Sequence, residues 1–156
     1  MPNQANPLPF ETIAKIAQSA GLNEDFTYTY SQLLGGVFNT GNHSSELLED
    51  EGLIIGALND ISDNFSADFT IDFDGNKYRI IHSEAIWDIY VEEIKQIVND
   101  CYELKLDKVP AFIAVSIDWE ATAHNAYSDG YGHTFASYDG EETKSDNGKY
   151  WIFRTN

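Results

Sequence analysis

The chain has 156 residues, enough for one domain of ordinary size, and we expect a single domain over 1–156. Hydrophobic residues make up 42% and aromatic residues 13%, which excludes a disordered acidic tail, because such tails are poor in aromatic side chains. The 26 Asp and Glu outnumber the 9 Lys and Arg, and the formal net charge of -17 argues against nucleic acid or an anionic membrane as a partner.

Localisation signals and disulfides are not evident. Cys101 is the single cysteine, which excludes an internal disulfide. The N-terminus shows no basic segment followed by an apolar run, and no apolar run approaches the roughly 20 residues of a membrane span. We therefore expect a cytoplasmic protein.

The N-terminal third contains one clear helix and one ambiguous stretch. Pro9 can open a helix that runs to about Ala20 and ends at Gly21. The alternation of aromatic residues with threonine over 26–30 is typical of a strand, and the glycine pair at 35–36 indicates a break. A second helix is expected to begin near Ser44 or Ser45, with acids in its early turns.

The middle of the chain predicts a β-hairpin over 66–82. Apolar residues alternate with polar ones over 69–73 and again over 78–82, and the sequence Asp-Gly-Asn between them is typical of a tight turn. Lys77 and Arg79 should lie across from some of the aspartates of the first strand.

A long amphipathic helix is predicted from about Glu84 to Glu103, capped by Ser83. Its apolar face includes Ile86 and Tyr90 and reaches Cys101, which we expect to be a buried thiol. The opposite face is acidic, and few bases stand four residues away from these acids to offset their charge.

The C-terminal third predicts a short buried strand over 109–115, a helix capped by Ser116 that runs to about Tyr127, and a final strand over 149–154. Together these elements predict an α+β fold. A small antiparallel sheet, made of the 66–82 hairpin and the C-terminal strand, would pack against three or four helices.

Acidic residues are concentrated in two segments that lack any base, which is unusual because solvated surfaces intersperse both signs. The first segment lies between Lys15 and Lys77 and the second between Lys108 and Lys144. The first holds Glu24, Asp25, Glu46, Glu49, Asp50, Glu51, Asp60, Asp63, Asp68, Asp72 and Asp74. The second holds Asp118, Glu120, Asp129, Asp139, Glu141 and Glu142.

This pattern suggests a surface that stands in for DNA. B-DNA carries one charge per roughly 1.7 Å of its axis, whereas six acids on a helix about 30 Å long give about one per 5 Å. One acidic helix is therefore too sparse, and a second acidic row, from 46–74 or from 118–142, must lie beside it.

We expect the partner-binding residues to be exposed acids of the 84–103 helix and of the two base-free segments. They are Glu84, Asp88, Glu92, Glu93, Asp100, Glu103, Glu49, Asp50, Glu51, Asp118, Glu120, Asp139, Glu141 and Glu142. The expected partner is a basic DNA-binding protein. No catalytic residue, metal ligand or cofactor is predicted, and a homodimer stays open.

The C-terminal quarter resembles a known family. Ile117-Asp118-Trp119-Glu120-Ala121-Thr122-Ala123 and the later Gly148-Lys149-Tyr150-Trp151-Ile152-Phe153-Arg154 resemble the ending of phage- and plasmid-borne antirestriction proteins of the ArdA type. The resemblance covers roughly 115–156. It implies an acidic DNA mimic that blocks a restriction enzyme, a tactic related to that of some anti-CRISPR proteins.

Other functions remain open at this point. An immunity or antitoxin protein would use the same acidic surface against a basic toxin. A halophilic protein would carry acids for solubility in high salt. A small metal-dependent enzyme would need His124 and His133 to meet near Asp129 or Asp139, although no paired metal-ligand spacing occurs.

Overall fold

The computed structural model describes residues 9–40, 43–102, 108–145 and 147–156, which form six helices and four strands. The helices are α1 (Pro9–Ser19), α2 (Ser31–Asn39), α3 (Glu51–Asn64), α4 (Ile86–Cys101), α5 (Trp119–Ala126) and α6 (Gly132–Phe135). The strands are β1 (Asp68–Phe73), β2 (Asn76–His82), β3 (Thr143–Lys144) and β4 (Tyr150–Arg154). The α+β class is confirmed, with more helices than the three or four expected, because α2 and the single-turn α6 were not foreseen.

The sheet has the order β1-β2-β4-β3, and each neighbouring pair is antiparallel. Asp74 and Gly75 form the two-residue turn between β1 and β2, and both have positive φ, as a tight hairpin requires. The hairpin and the C-terminal strand are both confirmed, and β4 pairs with β2 through Ile80 opposite Ile152.

Helices cover the two faces of the sheet unequally. On one face, α1, α2 and α3 pack on side chains from three strands, such as Phe69, Ile80 and Ile152. On the other face, the cluster formed by α4, α5 and α6 packs on Ile81 and Phe153, and no residue of β1 belongs to it. The second face of β1 is therefore left uncovered.

Two expectations for the N-terminal third are wrong. Residues Phe26–Tyr30 form a π-helical turn, in which the rings of Phe26 and Tyr30 pack edge to face at 5.0 Å, so the aromatic spacing reflects a helical contact. Gly35 and Gly36 lie inside α2 rather than at a break. A Cβ on Gly36 would collide with the side chain of Ile152, so this glycine lets α2 approach the sheet.

The second helix begins later than expected. Ser44 caps a short 3-10 turn over Ser45–Glu49, and α3 itself starts at Glu51. Asp50 caps α3, because its Oδ1 accepts a hydrogen bond from the Leu53 N–H at 3.1 Å.

The long amphipathic helix is present, but its ends differ. It begins at Ile86, and Ser83 does not cap it, because residues 83–85 form a turn in which the Ser83 N–H donates to the Lys149 carbonyl at 2.8 Å. Ile86 and Tyr90 are buried as expected. Cys101 is exposed, since the last turn of α4 extends beyond the core, so the expected buried thiol is wrong.

The expected strand over 109–115 is also wrong. The Ile113 N–H donates to the Pro110 carbonyl at 2.9 Å and closes a turn, so the apolar side chains face solvent; Phe112 is 89% exposed. Helix α5 starts at Trp119 and is capped by Asp118, whose Oδ1 accepts from the Ala121 N–H at 3.0 Å, rather than by Ser116. Within the described ranges, none of the helices combines the length and the apolar character needed to cross a membrane.

Candidate functional site

Carboxylates from three elements surround strand β1. We call this set the β1 acidic surface and define it by the acids that line the three hollows around the strand. Its members are Asp60, Asp68, Asp72, Asp74, Asp88, Glu92 and Glu93. They come from α3, from β1 and its turn, and from α4, so residues far apart in the sequence form one charged surface.

The largest of these three hollows is a groove of about 490 Å³ between β1 and α4. It exists because α4 covers β2 and β4 but stops short of the edge strand. Asp68 lies on the β1 side, Asp88 and Glu92 lie on the α4 side, and Arg79 of β2 lies between them.

Arg79 binds two of the groove carboxylates. Its Nε and Nη2 donate to the two oxygens of Asp68 at 2.8 and 2.7 Å, and its Nη1 lies 3.4 Å from Glu93 Oε1. The guanidinium also lies over the Phe135 ring, 4.9 Å from its centre. The hydrogen bond with Asp68 raises the pKa of Arg79 above its ordinary value, so this cation is permanent.

Asp88 and Glu92 differ from these two acids. Both are exposed on α4, one helical turn apart, and neither has an ion-pair partner among the described residues. Their negative charge is therefore available to a cation from outside the chain.

Two further hollows lie along the other end of β1. One, of about 440 Å³, is lined by Asp60 and Asn64 of α3, by Thr70 and Asp72 of β1, and by Lys77. The other, of about 370 Å³, shares Asp60 and Asp72 and adds Asp74. Lys77 stands opposite Asp72 in the β1–β2 register, as the sequence predicted. These hollows extend the acidic surface from the α4 groove to the hairpin turn.

The structure brings Asp88, Glu92 and Glu93 of the predicted set to this surface. Glu84 lies in the turn before α4 and is exposed. Asp100 lies near the far end of α4, where it accepts a hydrogen bond from Gln96 at 2.8 Å. Glu103 lies outside the described residues.

The predicted acids at 49–51 are placed elsewhere. They precede or begin α3 on the face of the sheet opposite to α4, where Glu49 and Glu51 line a separate hollow with Lys15 of α1. Asp50 is used as the α3 cap. These acids therefore do not form the second row beside α4.

Most acids of the second base-free segment make internal hydrogen bonds. Asp118 caps α5, and Glu120 accepts from the Trp87 indole N–H at 2.9 Å. Glu142 Oε2 accepts from the backbone N–H groups of 131 and 132 at 2.9 and 3.2 Å, and Asp139 accepts from the Glu141 N–H at 3.0 Å. These contacts give them local structural roles.

The named partner-binding residues did not include Asp60, Asp68, Asp72 and Asp74, although the expected second row from 46–74 spans these four acids. The period-two pattern of β1 was a usable signal, because it places Asp68 and Asp72 on the face opposite to the buried Phe69 and Ile71. Nothing local indicated that this face would stay uncovered beside α4.

A small metal-dependent enzyme would need His124 and His133 to meet. The ring of His124 lies 4.5 Å from that of Trp87, and His133 is exposed on α6. Within the part of the chain that the structure describes, no three His, Cys, Asp or Glu side chains are grouped so that they could hold a metal ion.

Comparison with known proteins adds no relative. No family model, curated protein or solved structure matches the chain. The β1 acidic surface is therefore the feature on which a functional proposal has to rest.

Proposed function

We propose that the protein is an acidic DNA mimic that acts in the cytoplasm of a bacterial host cell. It would bind the DNA-binding groove of a defence protein, a restriction enzyme or a CRISPR effector, and compete with DNA for it. The observation that carries the proposal is the β1 acidic surface, in which seven carboxylates line three hollows along β1 and the described bases among them are Arg79 and Lys77.

Charge spacing supports this class of partner. On α4, Asp88 and Glu92 are about 6 Å apart along the axis, which is too sparse to match a duplex alone. On β1, Asp68 and Asp72 are about 13 Å apart along the strand. Asp68 lines the groove opposite α4, and Asp72 lines the two hollows toward the hairpin turn. Asp60 of α3 adds a third position at the outer side of β1. Competition with a duplex requires several rows of carboxylates side by side, because one row has a lower charge density than DNA.

The mechanism is electrostatic exchange. Lysine and arginine side chains that bind phosphates in the partner would pair with these carboxylates instead. Association would be accelerated by long-range attraction and weakened by salt, because charges beyond about 10 Å are screened at 0.1 M ionic strength. The resemblance of 115–156 to ArdA-type antirestriction proteins supports the same class, although the acidic surface is built from residues that precede this segment.

The test is a charge reversal at the α4 rim. We expect Asp88→Lys with Glu92→Lys to abolish competition with DNA while the protein stays folded, because both side chains are exposed and neither has an ion-pair partner among the described residues. Glu93 is left intact because it contacts Arg79. The matched control is Glu24→Lys with Asp25→Lys, which makes the same change in net charge at exposed positions before α2.

The assay begins with a bacterial lysate passed over the immobilised chain and eluted with steps of salt and with a double-stranded oligonucleotide. Each captured protein is then titrated with the chain in a DNA-binding assay. Retained inhibition by the folded α4 variant would contradict the role of the groove. An equal loss of inhibition in the control variant would show that net charge alone explains the effect. A captured toxin that DNA does not displace would identify an immunity protein instead.

A further inference from the structure

Strand β1 is an edge strand, and its hydrogen-bonding pattern shows which of its peptide groups point away from the sheet. The Thr155 N–H donates to the Lys77 carbonyl at 2.9 Å, so the peptide groups of Lys77 face the β4 side of β2. Lys77 pairs with Asp72. In an antiparallel ladder both members of such a pair point their N–H and C=O away from each other, so those of Asp72 point out of the sheet.

The same alternation applies along the strand. Thr70 and Asp68 stand two and four residues before Asp72 and also point their peptide groups outward. At Asp68 these groups are satisfied locally, because the Ser66 hydroxyl donates to the Asp68 carbonyl at 2.8 Å and accepts from its N–H at 3.4 Å. On this outward side, the main-chain groups of Thr70 and Asp72 make no hydrogen bond to another described residue.

We propose that β1 binds an extended basic segment of the partner as a fifth, antiparallel strand, an inference that rests on the proposed function. The N–H and C=O groups of Thr70 and Asp72 would make the main-chain hydrogen bonds. Side chains of a paired strand lie about 5 Å from those of its neighbour on the same face. Lysine or arginine at alternate positions would therefore face Asp68 and Asp72, within the surface that includes Asp88 and Glu92.

Charge complementarity selects this occupant. Acidic side chains on an edge strand oppose pairing with a neutral or acidic strand. A second copy of the chain paired through β1 would place aspartates close to aspartates, which is destabilising. A basic strand relieves that repulsion and also satisfies the open edge.

The first test uses a short end-capped peptide of alternating lysine and valine, titrated into the whole protein. If it binds as proposed, its lysine N–H groups point toward β1 and its valine N–H groups point away. Main-chain N-methylation of the lysines should weaken binding by about tenfold or more, since two or more hydrogen bonds are lost. N-methylation of the valines should leave binding unchanged, and equal binding of both methylated peptides would overturn the proposal.

Amide hydrogen exchange locates the contact. Bound peptide should slow the exchange of the Thr70 and Asp72 amide hydrogens, and protection confined to other residues would overturn the proposal. In the protein, Thr70→Pro removes an outward N–H without removing a β1–β2 hydrogen bond, and Thr70→Val retains it. We expect the valine variant to bind like the wild type and the proline variant to bind about tenfold more weakly.

The two proposals fail in different ways. If folded Thr70→Pro competes with DNA like the wild type whereas the Asp88 and Glu92 reversal does not, the strand pairing is wrong and the DNA-mimic function stands. If the peptide protects Thr70 and Asp72 but no DNA-binding protein is inhibited, the strand pairing stands and the function is wrong. If Thr70→Pro does not fold, the methylated peptides decide the question.

Discussion

At the hairpin turn, side chains from separate parts of the chain form a hydrogen-bonded series with a fixed direction. Arg154 Nη2 donates to Asn76 Oδ1 at 3.0 Å, and Asn76 Nδ2 donates to the Tyr78 hydroxyl at 3.4 Å. The Tyr78 hydroxyl also bonds His43 Nε2, and His43 Nδ1 lies 3.3 Å from Asp74 Oδ2. Because arginine only donates and a carboxylate only accepts, a neutral His43 carries its proton on Nδ1.

This series should stabilise the fold. The His43 side chain is fully buried, so Tyr78→Phe would leave its Nε2 and an Asn76 donor without their partner. We expect the free energy of unfolding to fall by about 2 kcal/mol, measured by urea denaturation. Tyr138→Phe is the matched control, because this ring is 57% exposed, and its change should stay within about 0.5 kcal/mol. Equal losses in the two variants would show that the series is energetically neutral.

Arg79 of β2 bonds to Asp68 of β1 and to Glu93 of α4, two acids that would otherwise repel each other. Arg79→Gln removes its paired hydrogen bonds to Asp68 and its contact with Glu93. The pair is only partly exposed, so we expect a loss of about 2 kcal/mol, between that of a surface pair and that of a buried one. Lys77→Gln removes the same charge from the same strand at an exposed site and should cost less than about 1 kcal/mol.

Chemical denaturation of both variants distinguishes contact from net charge. Equal destabilisation by the two changes would mean that long-range repulsion, rather than the Arg79 contacts, limits stability. A larger loss for Arg79→Gln that persists in high salt would confirm the contacts, because partly buried pairs are screened less than exposed ones.

Elements whose pattern is local were predictable from the sequence. The hairpin follows from strict alternation and its turn residues, and the core-facing side of α4 follows from its helical period. The stretches 26–30 and 109–115 were not predictable in this way. Alternating aromatics also suit helical contacts four residues apart, and an apolar run does not require burial when its backbone forms a turn.

The candidate site was predictable only in part. The exposed acids of α4 were found because few bases stand four residues away from them in the sequence. The contribution of Asp68 and Asp72 depends on α4 stopping short of β1, and that of Asp60 depends on where α3 meets the strand edge. These are long-range packing outcomes, and no local pattern specifies them.

For the whole molecule, the net charge of -17 means that any added negative charge acts against the folded state. Burial raises the pKa of Tyr90, Tyr131 and Tyr150 above the ordinary value. Two of these rings, Tyr90 and Tyr131, pack on the α4–α6 side of the sheet, and Tyr150 packs on the α1–α3 side. Ionisation of these residues would therefore place charge inside both helical layers.

The sign of the pH dependence follows from this shift. Below about pH 10 these tyrosines are neutral in the folded and the unfolded chain, and their stabilisation is fully present. Above about pH 10 the tyrosine hydroxyls of the unfolded chain lose their protons before those of the folded chain. The free energy of unfolding should therefore fall as the pH rises through the raised native pKa values. Urea titrations at a series of alkaline pH values, with tyrosinate absorbance followed in parallel, measure this loss. Tyr150→Phe removes one of the three groups and should show a smaller loss of stability above about pH 10; a loss identical to that of the wild type would exclude Tyr150 as a source of the alkaline instability.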